Sequence, residues 1–155
     1  MELPLVIPAI AALPRYQGVS LGFTHWVELD EARLERFVRA TGDTNWLHSD
    51  AERAARDSPC KALIVPGSLV LSLVPSLLPD LLVLVGWQTA INSGVESCRF
   101  DAPIPVGAKV RMTATLGKGR ALPGGGCRLP IDVAFESDRS SEPACQARVV
   151  YIYYP

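Results

Sequence analysis

Between Thr41 and Asp50 the chain reads Thr41-Gly42-Asp43-Thr44-Asn45-Trp46-Leu47-His48-Ser49-Asp50, which sets a carboxylate, an amide and an imidazole within six residues. Histidine titrates near neutral pH, and a neighbouring carboxylate can fix its tautomer and raise its pKa. Asp43 and His48 are therefore the natural pair for acid–base chemistry. The same residues also have a plain structural reading: a turn aspartate bonded to nearby backbone N–H groups, and a histidine satisfied at the start of a helix. The one other histidine, His25, has no charged partner adjacent in sequence and reads as structural.

The elements on either side would hold this stretch rigidly. Asp30 is a good N-cap for a helix, Leu29 and Leu34 stand at the positions of a hydrophobic staple, and Glu31 favours the positive end of the helix dipole. Leu34, Phe37 and Val38 share one face, and Gly42 is the expected left-handed residue just past the last turn. Ser49 or Asp50 can cap a second helix running through Arg56, so Asp43 to His48 reads as a tight helix-to-helix connection. After a loop at Asp57 to Cys60, a long apolar helix is expected over 67–78, ending before Pro79, with Pro75 kinking it or ending it early. Its scarcity of polar residues predicts burial on all faces. Ser68 and Ser72 read as small residues allowing close packing, with Ser68 also able to approach a ligand. Cys60 reads as a small buried residue rather than a nucleophile, since no base is set beside it.

Beyond the helix the period changes to two. Ala108, Val110, Met112, Ala114 and Leu116 alternate with polar residues, as do Ile131, Val133 and Phe135, and again Cys145, Ala147, Val149, Tyr151 and Tyr153. Ala90 to Phe100 is a fourth, less regular strand, and the run Leu81 to Val85 and a short segment in Leu21 to Val27 bring the count to five or six. The connections Gly117 to Gly126 and Asp138 to Pro143 read as hairpin loops. Gly117-Lys118-Gly119 lacks the spacing of a dinucleotide or phosphate loop.

Composition narrows the classes further. A chain of 155 residues fits one domain, here 1–155 with residues 1–20 as an N-terminal extension. A net charge of −1 from 15 basic and 16 acidic residues gives no electrostatic footprint for nucleic acid or an anionic membrane. The scattered cysteines Cys60, Cys98, Cys127 and Cys145 form no paired metal or redox motif and read as reduced thiols of a cytoplasmic protein. The prolines and missing basic region of Met1 to Pro14 argue against a signal peptide. Leu63 to Trp87 is apolar enough to raise a membrane span, but Pro66, Pro75 and Pro79 and the lack of basic flanks argue for a buried helix and strand instead.

The order of helix, short helix, apolar helix and antiparallel meander resembles an α+β hot-dog fold, in which a sheet wraps around one long apolar helix. At residue level the chain resembles the MaoC-like dehydratases, which include the (R)-specific enoyl-CoA hydratases, and more closely their NodN-like branch. The resemblance runs from about Leu21 through Leu116. It rests on Phe37 to Asp50 with Glu52-Arg53-Ala54, on Gly67-Ser68-Leu69-Val70-Leu71-Ser72-Leu73, and on Asn92-Ser93-Gly94 through Arg99-Phe100-Asp101-Ala102-Pro103-Ile104-Pro105-Val106-Gly107. The family's hydratase motif places aspartate, asparagine and histidine where Asp43, Asn45 and His48 stand. The resemblance implies that Asp43 and His48 act as acid and base on one water that Asn45 orients, while the N–H of Gly67 binds the thioester carbonyl as an oxyanion donor. The implied reaction is reversible addition of water across the 2,3 double bond of an acyl thioester, on coenzyme A or acyl carrier protein. The expectation is thus a hydro-lyase of fatty acid metabolism with no metal or redox cofactor, working as a homodimer.

Two positions depart from the family pattern. Pro66 stands where a histidine usually precedes the helix glycine, and it has neither a side-chain donor nor a backbone N–H. Trp46 stands where most hydratases have proline, and its indole could reshape the acyl pocket. Two other functions therefore stand beside hydration: a hot-dog acyl-thioesterase, and a non-catalytic acyl-thioester-binding protein.

Overall fold

A computed structural model describes residues 3–155; Met1 and Glu2, the start of the expected extension, lie outside the described residues. In chain order the strands are β1 (Leu5–Ile7), β2 (Ser20–Phe23), β3 (Val27–Glu28), β4 (Ile64–Val65), β5 (Leu82–Leu84), β6 (Thr89–Arg99), β7 (Ile104–Pro105), β8 (Lys109–Leu116), β9 (Arg120–Ala121), β10 (Cys127–Ser137) and β11 (Ser140–Tyr154). The helices are α1 (Glu31–Thr41), α2 (Trp46–Ser49), α3 (Ala51–Asp57), α4 (Gly67–Leu71) and α5 (Val74–Leu77), with 3-10 turns at Ile10–Tyr16, Leu78–Asp80 and Pro123–Gly125. The main sheet runs β2-β8-β10-β11-β6, with β3 on β8 and β9 on β10, and all its pairings are antiparallel.

The period-two stretches form this sheet as expected. Val110, Met112, Ala114 and Leu116 of β8, Leu129, Ile131, Val133 and Phe135 of β10, and Cys145, Ala147, Val149, Tyr151 and Tyr153 of β11 are all buried. They close over Leu69, Val70, Leu73, Val74, Leu77 and Leu78, so the sheet wraps the apolar helical run in one core. Alternation puts every second residue on that side of the pleat, and burial of the set drives the wrapping.

Three expectations are corrected. The apolar helix breaks at Pro75 as expected, but it is not buried all round. It divides into α4, α5 and the turn Leu78–Asp80, because Pro75 and Pro79 offer no N–H to the helical ladder, and Ser68, Ser72, Pro75, Ser76 and Pro79 are exposed along it. The apolar run Leu81 to Val85 does not join the main sheet; β5 pairs in parallel with β1, and this pairing, with Ile7 and Leu13 fully buried, draws the N-terminal segment into the core. The expected loop from Asp138 to Pro143 shrinks to a two-residue turn, since Ser140 already pairs with Ser137. Among the described residues no helix is long and apolar enough to cross a membrane.

Candidate functional site

Asp43 follows directly on the end of α1. Asp30 caps that helix by accepting Arg33 N–H at 2.7 Å, and Gly42 closes it at φ 70°, donating its N–H to Val38 O. A second, smaller core of Leu34, Ala54 and Leu63 clamps α1 to α3 and fixes the turn between them. Within the turn the backbone folds onto its own side chains. Asn45 N–H donates to Asp43 Oδ1 at 3.0 Å, and Asn45 Oδ1 accepts Leu47 N–H at 3.1 Å, capping the short helix α2. His48 therefore sits on a helical turn, where sequence suggested only a connection; Asp50, of the two candidates, caps α3 by accepting Arg53 N–H at 2.9 Å.

This geometry sets the imidazole. Nδ1 of His48 lies 2.6 Å from the carbonyl oxygen of Ile64 on β4. A carbonyl only accepts, so Nδ1 carries a proton, and the tautomer this selects has its lone pair at Nε2. Nε2 faces Asp43 Oδ2 at 3.9 Å, beyond direct hydrogen-bond range but bridgeable by one oxygen atom. The ring is sheltered, at 13% exposure, while the carboxylate is 37% exposed. One carboxylate oxygen thus holds the turn, and the other faces the base.

Gly67 begins α4, directly after Pro66, and its N–H, as the first of the helix, has no partner within the helix. The ring of Phe100 lies flat against it: a Cβ at position 67 would stand 2.4–2.8 Å from three ring carbons, so only glycine allows this contact. Gly67, Ile64, Val65, Val70, Phe100 and Ala144 bound a cavity of about 280 Å³. Ile64 joins the two halves: its carbonyl holds His48, and it lines the cavity that Gly67 opens onto. The structure therefore brings Asp43, Asn45 and His48 together in one turn and ties that turn to Gly67 through β4. It does not place the three in the wall of the Gly67 cavity. Ser68 is exposed next to Gly67. Trp46 also lies off that wall; the Arg53 guanidinium stacks over its ring, 4.3 Å from the centroid.

Two contributors carried little sequence signal. The Ile64 carbonyl is a backbone group and has no residue signature. Phe100 belongs to a block that supported the family resemblance, which was the available hint. His25, read as structural and without a charged neighbour in sequence, pairs with Asp80, with Nδ1 at 2.5 Å from Oδ2; the pair ties the β2–β3 connection to the end of the helical run. Among the described residues no group of three or more His, Cys, Asp or Glu side chains is placed to hold a metal ion.

Known proteins resemble this chain in sequence and in fold. The chain is 34% identical over 145 residues to 3-hydroxyacyl-thioester dehydratase Z of Mycobacterium tuberculosis, covering 94% of this chain and 95% of that protein. It is 28% identical to nodulation protein N of Rhizobium leguminosarum, over 93% and 90% of the two chains. Among solved structures, the R-hydratase PhaJ1 of Pseudomonas aeruginosa superposes with a TM-score of 0.66 at 21% identity, over 89% of this chain and 81% of that one, and shares the hot-dog fold. The family profile described as MaoC like domain matches residues 15–122, and with the first of these relatives it establishes that the chain belongs to the MaoC-like domain family.

Proposed function

We propose that the protein is a hydro-lyase that adds water reversibly across the 2,3 double bond of an enoyl thioester carried by coenzyme A or acyl carrier protein. The observation that carries this reading is the fixed imidazole: Ile64 O holds Nδ1–H, and Nε2 looks across 3.9 Å to Asp43 Oδ2. A water between them can lose a proton to the pair as its oxygen attacks C3, and the pair returns a proton at C2. It ends in its starting protonation state, and one water supplies both added groups. Asn45 keeps its amide NH₂ free for that water, because only its Oδ1 is used by the cap. Gly67 N–H, at the start of a helix, would stabilise the enolate oxygen that develops on the thioester carbonyl. Protein groups and water close this proton inventory, so no cofactor is included in the proposal.

The assembly proposed with it is a homodimer in the cytoplasm. Edge strand β6 pairs only with β11 among the described residues, and Ile91 and Val95 on it are exposed, which suits pairing with a second copy. The four free cysteines support a reducing compartment. The enzymatic test is loss of the enoyl-thioester absorbance on adding protein to a short enoyl-CoA. Turnover that disappears in Asp43→Asn and His48→Gln supports the reading, and equal turnover in either variant removes that residue from it. Release of free thiol from acyl-CoA would replace hydration with thioester hydrolysis.

A further inference from the structure

The far half of the helical run carries a groove that the acid–base turn does not use. It has a volume of about 290 Å³ and is lined by Pro75, Leu78, Pro79, Leu84, Trp87 and Tyr151, among other residues that are all uncharged. One lining group stands out. Tyr151 is only 7% exposed, yet its hydroxyl has no hydrogen-bond partner among the described residues. A buried hydroxyl left unpaired is costly, and a ligand oxygen that reaches it removes that cost.

The groove lies on the run that starts at Gly67. Pro75 and Leu78 stand 8 and 11 residues further along, roughly 12–16 Å at the rise of a helix. Between the two ends, the exposed face of the run offers Ser68, Ser72 and Ser76. Ser72 Oγ donates to Leu69 O at 2.6 Å and Ser76 Oγ to Leu73 O at 2.9 Å, so these hydroxyl protons are already used and the face presents small side chains to a ligand. An extended hydrocarbon advances roughly 1.2 Å per bond, by the reach of an extended backbone. The span from Gly67 to the groove is then about 10–14 carbons.

We propose that this groove receives the distal end of the acyl group, and that the substrates are thioesters of about 10–14 carbons carrying an oxygen function near the tail that bonds to Tyr151. This assignment rests on the enoyl-thioester reading for its reaction and goes beyond it in naming chain length and tail chemistry. Among the described residues no charged side chain lines the groove, so the tail function is a neutral hydroxyl or carbonyl rather than a carboxylate.

The test compares four-, eight- and twelve-carbon 2-enoyl-CoA substrates and the twelve-carbon substrate bearing a hydroxyl on its last carbon. The wild type should favour twelve carbons over four by at least about tenfold in kcat/KM, and the hydroxylated chain over the plain one by about fivefold. Tyr151→Phe should bring the hydroxylated-to-plain ratio to about one, and Pro79→Trp, which fills the groove from an exposed position, should lower the twelve-to-four ratio at least about tenfold. Equal kcat/KM at all lengths, or a hydroxyl preference that survives Tyr151→Phe, overturns the proposal. Calorimetric binding of saturated butanoyl- and dodecanoyl-CoA separates it from the reaction: absent turnover with tighter dodecanoyl binding that Pro79→Trp abolishes leaves the groove standing and removes hydration. If Pro79→Trp instead dissociates a dimer in sedimentation and leaves the length ratio unchanged, a second copy fills the groove and the acyl assignment fails.

Discussion

Because Ile64 O occupies Nδ1 of His48, the chemistry of that ring falls to Nε2, which faces Asp43 Oδ2. Asp43→Asn and His48→Gln should each lower kcat for enoyl-CoA hydration by about 10²- to 10⁴-fold. Asp43→Asn should leave the thermal midpoint near that of the wild type, since an asparagine oxygen can still accept Asn45 N–H. Asn45 caps α2 and, in the proposed reaction, also positions the water, and two variants separate these roles. Asn45→Ala should lose activity and about 1 kcal/mol of stability, whereas Asn45→Asp retains a capping oxygen and should lose only activity; an active Asn45→Asp enzyme would show that the amide NH₂ does nothing for the water. That Asp43, Asn45 and His48 lie close together was legible in the sequence because they fall within one turn; their roles as a site come from the family resemblance and belong to the proposal. The Ile64 carbonyl, 16 residues from His48, and Asp80, 55 residues from His25, were not legible, because those pairings exist only once the helical run has packed.

At the level of elements, caps, alternation and the break at Pro75 were readable, and the rest of the apolar run was not. Asp30 and Gly42 bound α1 as the sequence suggested, and the buried positions of β8, β10 and β11 followed their alternation. Residues 63–85 carry no period that distinguishes a strand from a helix, so the break after Leu71, the exposed serine row and the pairing of β5 with β1 were decided by the prolines and by tertiary contacts. The start of α4 yields a sharp prediction. Gly67→Ala keeps the backbone N–H but forces the Phe100 ring away from its present contact. Activity should fall at least about tenfold, because that ring walls the cavity onto which Gly67 opens. Adding Phe100→Ala to Gly67→Ala removes the clash and should restore part of the lost kcat. If the double variant is worse than Gly67→Ala alone, the ring itself, and not its displacement, matters for turnover.

At the level of the whole molecule, the sheet ends on one long strand whose outer edge has no partner among the described residues. Ile91 and Val95 on β6 are 45% and 46% exposed, an arrangement that single chains usually blunt with charge. Ile91→Lys with Val95→Lys should convert a dimer to a monomer in sedimentation, and an unchanged dimer would place the interface elsewhere. The buried face of the neighbouring strand β11 sets a second global property. Burial, reinforced by Cys98 with its Sγ 4.0 Å away, pushes the Cys145 thiol up from an ordinary 9.0 to about 12, and burial raises Tyr153 and Tyr151 as well. In the unfolded chain the thiol ionises near 9, while in the folded chain it stays neutral, so above that pH the unfolded state sheds protons first and is favoured. The contribution is therefore complete below about pH 9 and is lost as pH rises towards about 12. The thermal midpoint should be flat from about pH 7 to 9 and fall beyond it, with a shallower fall in Cys145→Ala measured against its own neutral value. A midpoint as high at about pH 10.5 as at pH 8 would mean that these groups ionise as freely folded as unfolded, and that the inner face of β11 is open to water.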